Sequence, residues 1–246
     1  MPRIYPVESL AAHAPSLSPG YGSTRKRAPL LPPIAIPAGP SETSGPLYGR
    51  DAVAPADSDL THGNLAQGNL AQGKNGEAQG ERIVVAGRVL DEDGRPVPDT
   101  LVEIWQANAA GRYVHAADRH PAPLDPNFFG AGRAVTDAEG RYRFVTIKPG
   151  AYPWRNHANA WRPAHIHFSL FGTSFLSRLV TQMYFPGDPL HELDPILGSV
   201  PDPAARSRLV ARFDIGTTEP EWALGYVWDI VLRGRAATPT EGPDHV

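Results

Sequence analysis

From Ile83 onward the chain alternates apolar and polar positions in short runs separated by turn residues, the texture of strands rather than helices. Ile83 to Leu90 reads as a strand ending at Asp91-Glu-Asp-Gly94, a turn whose glycine is free to take a positive φ. Leu101 to Gln106 is a second strand. Ala134–Thr136 and Tyr142–Thr146 flank Asp137-Ala-Glu-Gly140, which predicts a hairpin. Ala164–Phe171, Leu179–Tyr184 and Val227–Arg233 complete the set. One short helix is predicted after Asp202-Pro203, with the aspartate as N-cap, the proline in the first turn, and Leu209, Val210 and Phe213 on one side. Short strands joined by turns predict an all-β chain, a β-sandwich. Two connections, Asn108–Arg133 and Tyr184–Val200, exceed the usual ~4–6 residues, and loops of that size often carry function.

One strand carries unusual side chains. Successive residues of a strand face opposite ways, so His165 and His167 share a face while Ile166, Phe168 and Leu170 take the core face. That spacing suits half of a metal site.

Ahead of the strands, residues 1–80 are rich in Pro, Ala, Gly and Ser and show little periodicity. We expect an extended N-terminal arm, with a flexible insertion at 63–80 where Gly63-Asn-Leu-Ala-Gln is repeated from Gly68. The arm has too little apolar content to fold alone and is expected to wrap over the domain or a neighbouring subunit. Residues 81–246 form the expected β-sandwich catalytic domain.

Composition narrows the chemistry. A net charge of −3, with 20% charged residues, points to neither nucleic acid nor an anionic membrane as partner. No apolar run approaches the ~20 residues of a membrane span, and the N-terminus lacks a secretory pattern, so a cytoplasmic location is expected. With 0 cysteines, a metal must be held by nitrogen and oxygen. No His-x-Asp or His-x-Glu occurs, and no glutamate follows the histidine pair within Phe168–Gly172, so neither a facial triad nor a cupin-like site is available. Tyrosine is the remaining anionic donor. A hard, highly charged cation lowers a phenol's pKa from about 10 until it binds as phenolate. Tyr152, in Pro-Gly-Ala-Tyr-Pro, and Tyr113, after the Leu101 strand, are candidates. The spacing leaves two roles open for them, metal ligands or half-buried tyrosines of a sandwich.

Longer motifs decide between these. Val85-x-Gly87-x-Val89, Gly94-Arg-Pro-Val97 and Val102-Glu-Ile-Trp-Gln-Ala-Asn-Ala-Ala-Gly111-Arg-Tyr113 resemble the intradiol ring-cleavage dioxygenase signature. Asp125-Pro-Asn-Phe, Ile147-Lys-Pro-Gly150 and Tyr152-Pro-Trp-Arg-Asn…Trp161-Arg-Pro-Ala-His-Ile-His167 continue it. The similarity runs from about Tyr21 to Arg233.

The resemblance implies a non-haem Fe(III) centre. Tyr113 and His165 would be equatorial ligands, Tyr152 and His167 axial ones, with water or hydroxide completing the set. A small aromatic diol would chelate the ion and release Tyr152, which takes up a proton, before O2 breaks the ring between the two hydroxyl-bearing carbons. Arg162 would stabilise developing negative charge. Gln182 would line the oxygen-handling pocket, Trp154 and Ile196 would wall the ring, and Tyr21 would reach a substrate carboxylate. Trp105 is expected to pack near Tyr113. The family resemblance also implies a homologous alpha chain, lacking the iron ligands, in a hetero-oligomer active in aromatic catabolism. Two features depart from the pattern without touching a ligand: the 63–80 insertion, and His157 with Asn159 in the linker before Trp161.

Two other readings stand beside this one. Relatives acting on catechol or hydroxyquinol carry a helical N-terminal dimerisation segment, whereas this N-terminus is Pro-rich, which favours a carboxylated diol. A non-catalytic β-sandwich binding module would explain residues 83–146 but not the Tyr152–His167 segment.

Overall fold

A computed structural model describes residues 13–29, 31, 53–62, 76–154, 158, 161–172 and 178–241. Its strands are β1 (Arg82–Leu90), β2 (Leu101–Trp105), β3 (Ala131–Val135), β4 (Arg141–Ile147), β5 (Tyr152–Pro153), β6 (Trp161–Arg162), β7 (His165–Phe171), β8 (Leu179–Tyr184), β9 (Arg212–Phe213), β10 (Leu224–Val227) and β11 (Ile230–Val231). One sheet is built around β1, with β4 antiparallel on one edge and β10 then β11 parallel along the other; β9 pairs with β10. The second sheet runs β3-β2-β7-β8, all antiparallel, and β5 and β6 form a two-residue ribbon.

The alternation in β7 holds. Ile166, Phe168 and Leu170 are fully buried between the sheets, facing Ile83, Val85 and Val89 of β1 and Phe144 of β4 within one core. Phe168 anchors it, edge-on to Trp228 at 4.8 Å and to Phe144 at 6.3 Å between ring centroids. Each such side chain contributes about 1.5–3 kcal/mol by leaving water. His165 and His167 consequently point to the opposite face of the second sheet.

The strand positions agree closely with the sequence pattern, but three expectations fail. Ala131–Val135 and Arg141–Ile147 are not a hairpin. β3 pairs with β2 (Leu101↔Val135) and β4 with β1 (Val84↔Val145), so Asp137–Gly140 arches from one sheet to the other. Its local bonds, Gly140 N–H to Asp137 O at 2.9 Å with Gly140 at φ 70°, suit an arch as well as a hairpin, and each strand finds a better partner elsewhere.

The expected strand Val227–Arg233 begins earlier, at Leu224, and breaks at Trp228. There the Trp228 carbonyl accepts the Tyr142 hydroxyl at 2.5 Å instead of a ladder N–H. The helix after Asp202 forms with the expected cap, the Asp202 carboxylate accepting from Ala204 N–H, but α2 covers only Pro203–Ser207. Leu209 and Ala211 are captured by the Tyr184 backbone at 2.8 Å each, which pulls the chain out of helix, and Phe213 lies exposed in β9. A second short helix, α1 (Thr24–Arg27), lies in the arm and was not expected.

The described parts of the arm pack on the sandwich. Leu60 is in the core with its N–H bonded to Val145 O at 2.8 Å, and the buried Asp57 carboxylate accepts from Arg133 Nε at 2.7 Å. Of the 63–80 insertion, residues 63–75 lie outside the described residues. No described helix is long and apolar enough to cross a membrane.

Candidate metal centre

Strand register assembles the site. His165 and His167 of β7 stand opposite Tyr184 and Gln182 of β8, and His167 also stands opposite Trp105 of β2. These five side chains therefore share one face at one end of the second sheet. The Trp105 ring lies on His167, the two rings stacked at 4.8 Å and 6°, and His167 in turn is 6.3 Å from Tyr113 between ring centroids. The β5–β6 ribbon sets Tyr152 opposite Arg162 three residues before His165, so phenol, guanidinium and imidazole meet.

Tyr113 arrives from the other long loop, and two glycines allow it. Gly111, at φ 76°, would drive a Cβ to 2.3 Å from Ala151 O; at Gly150 a Cβ would come to 2.4 Å from Ala109 O. The loops bearing Tyr113 and Tyr152 therefore touch backbone to backbone. Asn108 locks them: its side-chain oxygen accepts from Ala110 and Arg112 N–H at 3.0 and 2.9 Å, and its carbonyl from Gly150 N–H at 3.0 Å.

The four candidate ligands converge. Ring centroids are 4.9 Å apart for His165–His167, 5.4 Å for Tyr113–Tyr152, 5.5 Å for Tyr152–His165 and 6.3 Å for Tyr113–His167. His165 donates Nδ1–H to Pro163 O at 2.7 Å, which leaves Nε2 as a lone-pair donor, 3.4 Å from Tyr152 Oη. Burial first, then the charge of Arg162, holds the His165 pKa well below 6.5, so the ring is neutral and ready to ligate. The Tyr113 hydroxyl is buried beside the Tyr152 phenol and, among the described residues, makes no well-formed hydrogen bond. Burial, then the neighbouring Tyr152, pushes its pKa well above 10, so a phenolate there requires a cation alongside. Among the described residues no three His, Cys, Asp or Glu side chains gather to hold a metal. The fit is therefore to a hard ion that accepts two phenols with two imidazoles.

Around this set lies a buried polar network that the sequence pattern did not reveal. Arg162 pairs with Asp194 through Nη2–Oδ2 at 2.8 Å and Nε–Oδ1 at 3.2 Å, and both side chains are essentially inaccessible. The same guanidinium donates to Gln182 Oε1 at 2.7 Å and to Tyr184 Oη at 2.9 Å, and its Nη1 lies 3.2 Å from His165 Nε2. Burial alone would lower the Arg162 pKa, but the Tyr184 hydroxyl and the Asp194 carboxylate packed against the guanidinium outweigh it and raise it well above the ordinary arginine value. Tyr184 was legible, two residues from Gln182 on a strand and hence on its face. Asp194 sits in an aperiodic loop and carried no signal. Tyr21, Gln182 and Ile196 line a narrow cleft beside this network. Trp154 bridges cleft and centre, edge-on to Tyr21 at 5.3 Å and under the Arg162 guanidinium at 5.7 Å. All nine residues expected at the site are thus gathered at one end of the sandwich. His157 and Asn159 lie outside the described residues.

Comparison with known proteins adds the chain's descent. Residues 45–234 match the dioxygenase family model Dioxygenase_C. The chain belongs to the intradiol dioxygenases. It is 60% identical over 240 residues to the protocatechuate 3,4-dioxygenase beta chain of Burkholderia cepacia, covering 98% of each. It is 30% identical to the protocatechuate 3,4-dioxygenase alpha chain of Pseudomonas putida, over 85% of this chain and 98% of that one. Among solved structures, 3-chlorocatechol 1,2-dioxygenase of Rhodococcus opacus shares the fold at a TM-score of 0.53, with 23% identity over 76% of this chain and 71% of the other. Intradiol dioxygenases generally use non-haem iron.

Proposed function

We propose that this chain is the iron-bearing beta subunit of a protocatechuate 3,4-dioxygenase. The reaction joins O2 to 3,4-dihydroxybenzoate and breaks the ring between the two hydroxyl-bearing carbons, giving 3-carboxy-cis,cis-muconate in the β-ketoadipate route of aromatic catabolism. The near full-length relationship to a beta chain of that name supports the substrate. The convergence of Tyr113, Tyr152, His165 and His167, with the Tyr113 hydroxyl buried among them, carries the reading of the site.

Those four side chains would hold Fe(III), which when bound supplies Lewis acidity and a template for the two catechol oxygens. Two phenolates match a hard trivalent ion better than two neutral donors. Tyr152 is the ligand suited to leave. It sits half-buried in a two-residue ribbon, whereas the Tyr113 backbone is itself pinned, its N–H donating to Asp118 Oδ2 at 2.8 Å. Its Oη would take the proton that the incoming diol gives up. Arg162 is catalytic through its charge: its orientation is fixed in advance by Asp194, Gln182 and Tyr184, so negative charge developing on the substrate meets a dipole-rich wall that needs no rearrangement. Trp154, Ile196 and Tyr21 would bound the ring, with Tyr21 toward its carboxylate and Gln182 beside the O2 pocket.

We assign residues 1–80 to an arm and 81–246 to the catalytic sandwich, place the protein in the cytoplasm, and pair it with a homologous alpha chain in a hetero-oligomer. The alpha chains among its relatives support that pairing. The test is oxygen uptake by the co-expressed chains with protocatechuate and catechol side by side, together with metal analysis and a visible spectrum. Iron-loaded protein should be coloured by phenolate-to-iron absorption and should prefer protocatechuate. A colourless, iron-loaded complex would end this reading.

A further inference from the structure

Beyond the family match, which stops at residue 234, the chain returns to the site. Residues 237–241 run as a strap along β8: Thr181 Oγ1 donates to Pro239 O at 2.7 Å, and Thr240 Oγ1 and Glu241 N–H both donate to Val180 O, at 2.9 and 2.8 Å. Thr238 N–H ties the start of the strap to Val231 O at 2.9 Å. The strap delivers a carboxylate to the back of the proposed centre. The Glu241 side chain is only 8% exposed, and its Oε1 lies 3.8 Å from His167 Nδ1.

We infer that Glu241 is a positioning residue for His167, a carboxylate that selects which imidazole nitrogen faces the metal and backs that ligand with negative charge. The inference rests on the iron reading of the site. Trp105, stacked within 6° of parallel, sets the plane of the ring, and the carboxylate beside Nδ1 favours the rotation within that plane that leaves Nε2 for the metal. A buried carboxylate is costly unless positive charge lies near it, and an imidazole carrying a metal supplies that charge. At 3.8 Å the contact is an ion-pair distance rather than a hydrogen bond, so the effect of Glu241 is mainly one of charge. His165 is oriented differently, by the Pro163 carbonyl, so the two imidazoles differ in the charge behind them.

The experiment compares wild type, Glu241→Gln and Glu241→Asp, each co-expressed with the partner chain and loaded with iron. It reads the rate of iron loss to an excess of chelator and the position of the visible absorption band. Glu241→Gln should lose iron about 10- to 100-fold more readily, the usual range for a partner behind a ligand, and its band should move. Glu241→Asp, which keeps the charge one methylene farther back, should fall between. Wild-type retention and an unmoved band in Glu241→Gln overturn the inference; so does equal loss in both variants with unmoved bands, which marks strap packing alone. If Glu241→Gln does not assemble, Glu241→Asp carries the test: faster loss with a moved band supports the role, and wild-type behaviour overturns it. Wild-type protein that takes up no iron brings down the functional reading itself, a separate outcome read before either variant.

Discussion

Replacing Asp194 by asparagine isolates the charge that holds Arg162. The pair is buried on both sides, 2% and 0% exposed, and joined by contacts of 2.8 and 3.2 Å. Removing one partner of such a pair costs about 3–5 kcal/mol, because the other charge stays buried without compensation. Arg162 keeps acceptors in Gln182 Oε1 and Tyr184 Oη, and asparagine keeps one oxygen, so the lower end of that range applies, about 3 kcal/mol. For a chain of this size the midpoint of thermal unfolding should fall by about 6–12 °C. Activity should fall further than stability explains, since a guanidinium displaced by about 1 Å costs up to ~10²-fold in rate. The double change Arg162→Met with Asp194→Leu removes both charges and should recover most of the lost stability while leaving the enzyme inactive. The assays are a thermal melt of the assembled protein and steady-state oxygen uptake. An Asp194→Asn protein that melts within 2 °C of wild type at unchanged kcat would show that Asp194 does not hold the guanidinium in place.

Three further outcomes follow from the geometry. Tyr152→Phe should retain much of the iron yet slow substrate binding, because the departing ligand no longer takes the diol's proton; stopped-flow traces identical to wild type would refute that role. Gly150→Ala forces a Cβ to 2.4 Å from Ala109 O and should cost about 1–3 kcal/mol and lower iron content per chain, while Gly198→Ala, with nothing within 4 Å, should change neither. In metal-free protein His165 is neutral in the folded state, with its pKa below 6.5 because of burial and Arg162, whereas the unfolded chain protonates it. The unfolded state therefore binds the extra proton, and stability should drop as pH falls below about 6.5, by up to about 1.4 kcal/mol per pH unit until the folded-state pKa is reached. Denaturant titrations between pH 7 and 5 should show that slope, and His165→Gln should remove it.

Much of the fold was legible because period-two alternation is local. Strands β1, β2, β7 and β8 stand where apolar residues alternate, and the same alternation put His165 and His167 on one face with Ile166 and Phe168 on the other. Turn residues located the arch at Asp137–Gly140 but not its destination, since the same aspartate–glycine geometry serves a hairpin and a crossover between sheets. The helix after Asp202 was signalled by its cap, yet its length was set by Tyr184, a residue distant in sequence whose backbone claimed Leu209 and Ala211.

The residue types at the centre were a property of the sequence: no cysteine, no carboxylate near the histidine pair, and tyrosine as the anionic donor left over. Their meeting was a property of the tertiary structure alone. Tyr113 and Tyr152 come together because Gly111 and Gly150 let two loops press backbone to backbone, a contact that no spacing along the chain encodes. Asp194 and Glu241 reach the site from an irregular loop and a terminal strap, where no periodicity marks which way a side chain will turn. Local pattern specifies how a segment is shaped, and only burial against distant segments specifies what it faces.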